Sequence, residues 1–252
     1  MSRTQPNTVI PSPVEQFIFF NGNTGRFGRP VEENTQMEDL PLPLAFIVLD
    51  DGAFRIGGEN RALGKRKIKS GLAHRNYNKS LTVTYSDNGS LIAQGDWQQI
   101  RESVAAIGGK YTAVLYALVK LDGQSKIAAI HLRGRALSEW YKFTKGKNPT
   151  GPVYFTVTKT AKTEGTDVDS YVPVFEMHDL KASSQEEADA ADAILQNWLS
   201  GYFKSPENIP AAINSRASNA VPIEGDAFAF AGLEEPPAQS GTGSDFDDDL
   251  PF

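Results

Sequence analysis

The chain has 252 residues, 40% hydrophobic and 22% charged, an ordinary globular composition with length enough for one large domain or two small ones. No run approaches the ~20 apolar residues that span a bilayer, and the polar stretch Met1 to Pro13 has no apolar secretory core, so a cytoplasmic location without membrane contact is the default expectation. Cysteine is absent, which excludes disulfides and cysteine-ligated zinc.

Residues 1–43 carry few signals: Phe17 to Phe20 reads as a short strand, and Asn21 to Gly25 has turn chemistry. Leu44 to Leu49 is an apolar run, with Asp51-Gly52 as the expected turn and Ala53 to Ile56 as the returning strand. Leu81 to Tyr85 alternates, Asp87-Asn88-Gly89 reads as a hairpin turn, and Leu91 to Ala93 as its second strand. Trp97 to Ile107 fits an amphipathic helix with Ile100, Val104 and Ile107 on one face. Tyr111 to Leu121 and Ile127 to Leu132 read as strands about the Asp122-Gly123 turn, and Arg135 to Phe143 as a short helix. Val153 to Thr160 and Tyr171 to Met177 read as a strand pair joined by a polar loop from Ala161 to Ser170.

Ser183 to Phe203 predicts a helix capped by Ser183 or Ser184, with Glu186 and Glu187 in its first turn. Its predicted apolar stripe is Ala191, Ile194, Leu195, Trp198 and Leu199. Beyond Pro206 periodicity fades, and residues 205–252, rich in Pro, Ala, Ser, Gly and acid, read as a flexible, disordered acidic tail. The division expected is thus 1–204 as a folded domain and 205–252 as a tail. The class expected is mainly β, a sandwich or barrel with added helices.

The net charge of −6 is unevenly spread: residues 205–252 carry nine acids and one base, a net of −8, residues 181–204 a net of −2, and residues 1–180 the balance of +4. Opposite signs in body and tail suggest nucleic-acid contact in one part and partner interaction in the other. The basic centre is Arg61 to Lys79, where Arg61, Lys65, Arg66, Lys67, Lys69, Arg75 and Lys79 stand with His74 and Tyr77 and no acid. Such clusters hold phosphates because each neutralised phosphate releases condensed counterions, and Gly64 and Gly71 would let backbone approach a ligand. The same segment also reads as a solvated surface loop.

Tyr77, Tyr111 and Tyr154 are the aromatic candidates for stacking on unpaired bases, worth ~1–3 kcal/mol per base, although a strand tyrosine is more often half core and half surface. Arg133 shares a face with His131 by alternation and would extend the basic surface; a lone His is otherwise expected to be a hydrogen-bonded core residue. At the C-terminus, Asp245-Phe246-Asp247-Asp248-Asp249-Leu250-Pro251-Phe252 interleaves aromatic and apolar residues with aspartates. Such a tip can place a ring and an α-carboxylate in a small basic-rimmed pocket of a partner, whereas a merely solubilising tail needs no Leu-Pro-Phe.

That tip resembles the acidic tip of bacterial single-stranded DNA-binding proteins, with Leu250 in place of the commoner isoleucine. The body is more similar to bacteriophage single-stranded DNA-binding proteins, through Thr158 to Thr160, Glu164-Gly165 and Tyr171 to Glu176. The resemblance implies an OB-fold β-barrel with a C-terminal helix. It also implies a protein that coats single strands during replication, recombination and repair and recruits replication and recombination proteins through its tail. In this class the tail also competes with DNA for the groove; apart from the resemblance, a basic surface freed of its tail could hold duplex DNA weakly.

No cofactor, metal or enzymatic site is expected. Asp247 to Asp249 could attract a divalent cation, but a flexible tail holds no fixed ligand geometry, and HExxH, Walker and GxSxG motifs are absent. An RNA-binding or RNA-chaperone OB protein is the alternative, since stacking and charge serve both nucleic acids and nothing here reads a 2′-hydroxyl.

Overall fold

The computed structural model describes residues 11–30, 37–77, 80–163 and 170–204. β-branched and aromatic runs give twelve strands in one sheet: β1 (Gln16–Asn21), β2 (Arg26–Pro30), β3 (Met37–Asp39), β4 (Leu44–Asn60), β5 (Arg66–Ser70), β6 (Ala73–His74), β7 (Leu81–Tyr85), β8 (Leu91–Gly95), β9 (Gly109–Leu121), β10 (Gln124–Arg133), β11 (Val153–Lys162) and β12 (Tyr171–Asp179). Three helices accompany them among the described residues: α1 (Trp97–Ala106), α2 (Arg135–Thr144) and α3 (Ala182–Lys204). No helix there is long and apolar enough to cross a membrane.

The strand order is β3-β2-β1-β10-β9-β4-β5-β7-β8, with the β11–β12 hairpin joined to the start of β4 and β6 to its middle. Strands β1 and β10 run parallel and the other pairs antiparallel. The mainly β class holds, but the sheet is mixed and not closed: its pairing does not describe a complete barrel.

β4 corrects the reading of Asp51-Gly52 as a hairpin turn. The strand runs through this point, because both of its halves pair with β9, Phe46 opposite Val119 and Gly58 opposite Gly109. The extra residues are absorbed as register shifts between Val48 and Asp50 and between Asp50 and Ala53, a bulge that bends a strand instead of ending it. The Asp50 carboxylate accepts from the Gly52 N–H at 3.0 Å and from His74 Nε2 at 3.0 Å. A Cβ on Gly52 would stand 2.6 Å from the His74 ring, so only glycine fits there.

Alternation sorts side chains onto two faces. Phe46, Val48, Leu115, Ala117, Ile130 and Leu132 meet α2, whose Trp140 is fully buried, and the inner side of the β11–β12 hairpin at Phe155 and Phe175. Leu49, Ala53, Val114, Tyr116 and Leu118 lie on the other face beneath Leu195, Leu199 and Phe203 of α3. A third cluster joins Phe54, Ile56, Ile68 and Val83 to Ile100 and Val104 of α1.

The α3 expectation needs three corrections. Its first turn begins at Ala182, so Ser183 and Ser184 lie inside the helix, and Glu186 and Glu187 fall beyond that turn. The buried stripe is Ala188, Ala191, Leu195, Leu199 and Phe203, while Ile194 is 58% exposed. A long helix resting on a sheet shows it a narrow seam, and Ile194 is rotated off that seam.

Candidate nucleic-acid interface

The face beneath α3 is covered over only part of its length. Towards the end of β4 the apolar residues stop and polar ones begin, and the register of four strands assembles them. Arg133 (β10) lies opposite Thr112 (β9), which lies opposite Arg55 (β4). One step further, Lys110 (β9) and Lys69 (β5) flank Gly57 (β4) from its two sides. Thr84 (β7) continues that second row beyond Lys69. Directly opposed residues point to the same side of a sheet, so Arg55, Arg133, Lys69 and Lys110 share one face.

Lys69, Lys110 and Arg133 are exposed, and none has a hydrogen-bond or ion-pair partner among the described residues. Gly57 between the lysines leaves a gap, since a Cβ there would meet nothing within 4 Å. On the same face β1 adds Phe17 opposite Ala129 and Phe19 opposite His131. These two rings are 41% and 38% exposed, and Phe19 stacks on His131 at 4.5 Å between centroids. Unpaired cations, bare aromatic rings and an open backbone floor thus stand together, the combination that holds an unpaired strand by its phosphates and bases.

Two groups at the border of this face are charged or basic yet partly withdrawn from water. Arg55 is half-buried, its Nε has no hydrogen-bond partner among the described residues, and burial lowers its pKa. His131 is 4% exposed, and burial, then the positive charge of Arg55, push its pKa down to about 3. It is therefore neutral at physiological pH. Its Nε2 also lacks a partner among the described residues, so it is neither the satisfied core histidine nor the surface cation that its sequence position allows.

The Arg61–Lys79 run is not one patch. Arg61 and Lys65 are exposed about the 3-10 turn Arg61–Leu63, which ends on Gly64 at φ 69°. Arg66 is turned to Asp87 by two hydrogen bonds of 2.8 Å and lies over the Tyr85 ring. Lys67 is paired with Glu59, and Arg75 donates to the Asp51 carbonyl at 2.6 Å and pairs with its carboxylate at 3.2 Å. His74 is buried between Asp50, Tyr77 and Phe203. Of the run, Lys69 alone is placed in the rows with Lys110 and Arg133. Lys79 lies outside the described residues, as do Asp245, Phe246, Asp247, Asp248, Asp249, Leu250, Pro251 and Phe252.

The three tyrosines are placed differently from the sequence expectation. Tyr77 stacks on Phe203 of α3 at 4.6 Å and packs with the core beneath that helix. Tyr111 stacks on Phe54 at 4.9 Å, on the α1 side of the sheet, and burial raises its pKa. Tyr154 stacks on His178 at 4.8 Å on the β11–β12 hairpin, which joins β4 at Leu44 to Phe46, roughly 23 Å from Arg55 by the seven β9 residues between their partners Val119 and Thr112. None joins the rows of cations. Arg55, Lys110, Phe17 and Phe19 do, and sequence reading passed over them because each looks ordinary within its own strand. The only signal available was a lone Arg between Phe54 and Ile56 in an apolar strand.

Among the described residues no group of His, Asp or Glu is arranged to hold a metal ion. Comparison of the chain with protein-family models, with characterised proteins and with solved structures yields no match.

Proposed function

We propose that the chain binds single-stranded nucleic acid, DNA in the first instance, across the open half of the face beside α3, with little sequence preference. The observation that carries this reading is the pair of cross-strand rows, Arg133–Thr112–Arg55 and Lys110–Gly57–Lys69, beside the exposed rings of Phe17 and Phe19. Unpaired cations neutralise phosphates, and aromatic faces accept any base. An OB-type ancestry for the sheet belongs to this proposal as well. It is supported by the bulged β4, which takes part in both the β11 and the β5 pairings.

The acidic tail, net −8, and the basic body make the tail a competing polyanion when no strand is bound, and a recruiter of replication and recombination proteins through Phe252 when one is. No catalytic step is proposed.

The test is fluorescence anisotropy of labelled oligo-dT with the full chain and with a chain ending at Gly243, across a salt series. Affinity should fall with salt with a slope near −0.7 per phosphate contact, and the shortened chain should bind more tightly at low salt. A salt-insensitive affinity would sink the electrostatic account. Equal or tighter binding of oligo-U in competition would move the assignment to RNA.

A further inference from the structure

Where the open face meets the C-terminal part of α3, a cavity of about 230 Å³ is lined by Phe17, Arg55, Ser70, Tyr116, Trp198 and Tyr202, among others. Its volume is below the ~300–1,000 Å³ of clefts that take drug-sized ligands, which leaves room for one planar ring system. Four of the lining residues are aromatic, Phe17, Tyr116, Trp198 and Tyr202; Trp198 meets Tyr116 edge-on at 6.0 Å and Tyr202 at 5.4 Å. Trp198 is only partly buried, so its ring remains available to a ligand.

Among the described residues Arg55 is the only charged one in the lining, and no carboxylate lines the cavity. Its Nε is buried without a hydrogen-bond partner among the described residues. An unpaired guanidinium held partly out of water is destabilising, and an apolar side chain of similar volume would usually serve the fold better. Its chemistry calls for an anion from outside. Ser70 is not free to read one, because its hydroxyl accepts from the Ile56 N–H at 2.8 Å and donates to the Gly71 carbonyl at 2.7 Å. Arg55 also ends the row that begins at Arg133, so an anion reaching it would belong to a chain of anions crossing the sheet.

We propose, on the strand-binding reading above, that this cavity takes one nucleotide of the bound strand. The base enters against Trp198, and the adjoining phosphate is held by the Arg55 guanidinium. The small volume favours a pyrimidine. Duplex DNA, whose bases are stacked and paired, cannot supply this group without unpairing, so the cavity is a source of preference for single strands.

The test uses the full chain carrying Trp97→Phe. That substitution removes an indole packed near Tyr111 and leaves Trp198 with the fully buried Trp140 as the remaining tryptophans. Oligo-dT should quench Trp198 emission, and an abasic strand of equal length should bind through its phosphates without quenching. In a second variant, Arg55→Met, oligo-dT affinity should fall by about tenfold or more, the scale of a charge-assisted hydrogen bond, while the thermal midpoint stays or rises. Binding of oligo-dT with Trp198 emission unchanged, or with equal affinity in Arg55→Met, overturns the cavity assignment and leaves the wider interface standing. Absence of any anisotropy change with oligo-dT removes both.

Discussion

Two halves of one sheet face have opposite fates. Both are built from β4 and β9. Under α3 these strands present Ala53, Val114, Tyr116 and Leu118, and at its edge and beyond they present Arg55, Gly57, Thr112 and Lys110. The backbone ladder is continuous across the border, so hydrogen bonding does not distinguish them. The difference is what lies above. Leu195, Leu199 and Phe203 remove the first half from water, and the hydrophobic effect there rewards apolar side chains by roughly 25 cal/mol per Å² buried. Little of that gain reaches the second half, where the exposed charges of Lys69, Lys110 and Arg133 cost the fold little and are free to meet a ligand.

The largest expected effect comes from the covered half. Leu199 is fully buried, and Leu199→Ala should lower unfolding free energy by about 2–5 kcal/mol in chemical denaturation. Any loss of strand binding should follow only from loss of folded protein. If binding fell at full folding, the division into two halves would fail.

His131, on the border, is tested with acid. Its folded-state pKa of about 3 lies below the ordinary 6.5, so between those values the unfolded chain takes up a proton that the folded chain refuses. Stability is complete above pH ~6.5 and falls as pH drops towards 3, with a slope of up to about 1.4 kcal/mol per pH unit from this group. The variant His131→Leu should lose that component, which denaturation curves at pH 7, 5.5 and 4.5 would read as a shallower decline.

In the open half, Lys69→Glu with Lys110→Glu should leave stability within ~0.5 kcal/mol, as surface changes usually do. The pair should weaken oligo-dT binding on the order of tenfold or more, with the salt slope reduced in magnitude by roughly 1.4 for two lost phosphate contacts. Unchanged anisotropy titrations would remove these lysines from the interface. Phe19→Ala should cost a few-fold to about tenfold in affinity through lost base stacking, with little change in the salt slope.

The smallest expected effect is at Gly57. Gly57→Ala meets nothing within 4 Å and should leave stability level or raise it by up to ~1 kcal/mol. Gly57→Asp, set between Lys69 and Lys110, should reduce affinity a few-fold without unfolding the chain. A comparison of the two isolates charge from bulk.

Much of the fold was legible in sequence because its causes are local. The alternation of Leu81 to Tyr85, the apolar run of Tyr111 to Leu121 and the spacing of Ile100 and Val104 each specify an element within a few residues. Asp51-Gly52 misled for the reason that turn residues also suit bulges, and only the common partner β9 distinguishes the two. The basic run misleads because adjacency in sequence is not adjacency in space. Asp87, Glu59 and Asp51, all outside the run, pair Arg66, Lys67 and Arg75.

The sequence by itself determined the mainly β class, the places of the three helices and the charge division between body and tail, since propensity, periodicity and net charge act over short stretches or as sums. Only the tertiary structure decided that Arg55, Lys69, Lys110 and Arg133 lie side by side and that Tyr77 and Tyr111 are packed inward. Cross-strand register and the length of sheet covered by α3 fix those outcomes. Both depend on pairings between residues tens of positions apart, which no local pattern encodes.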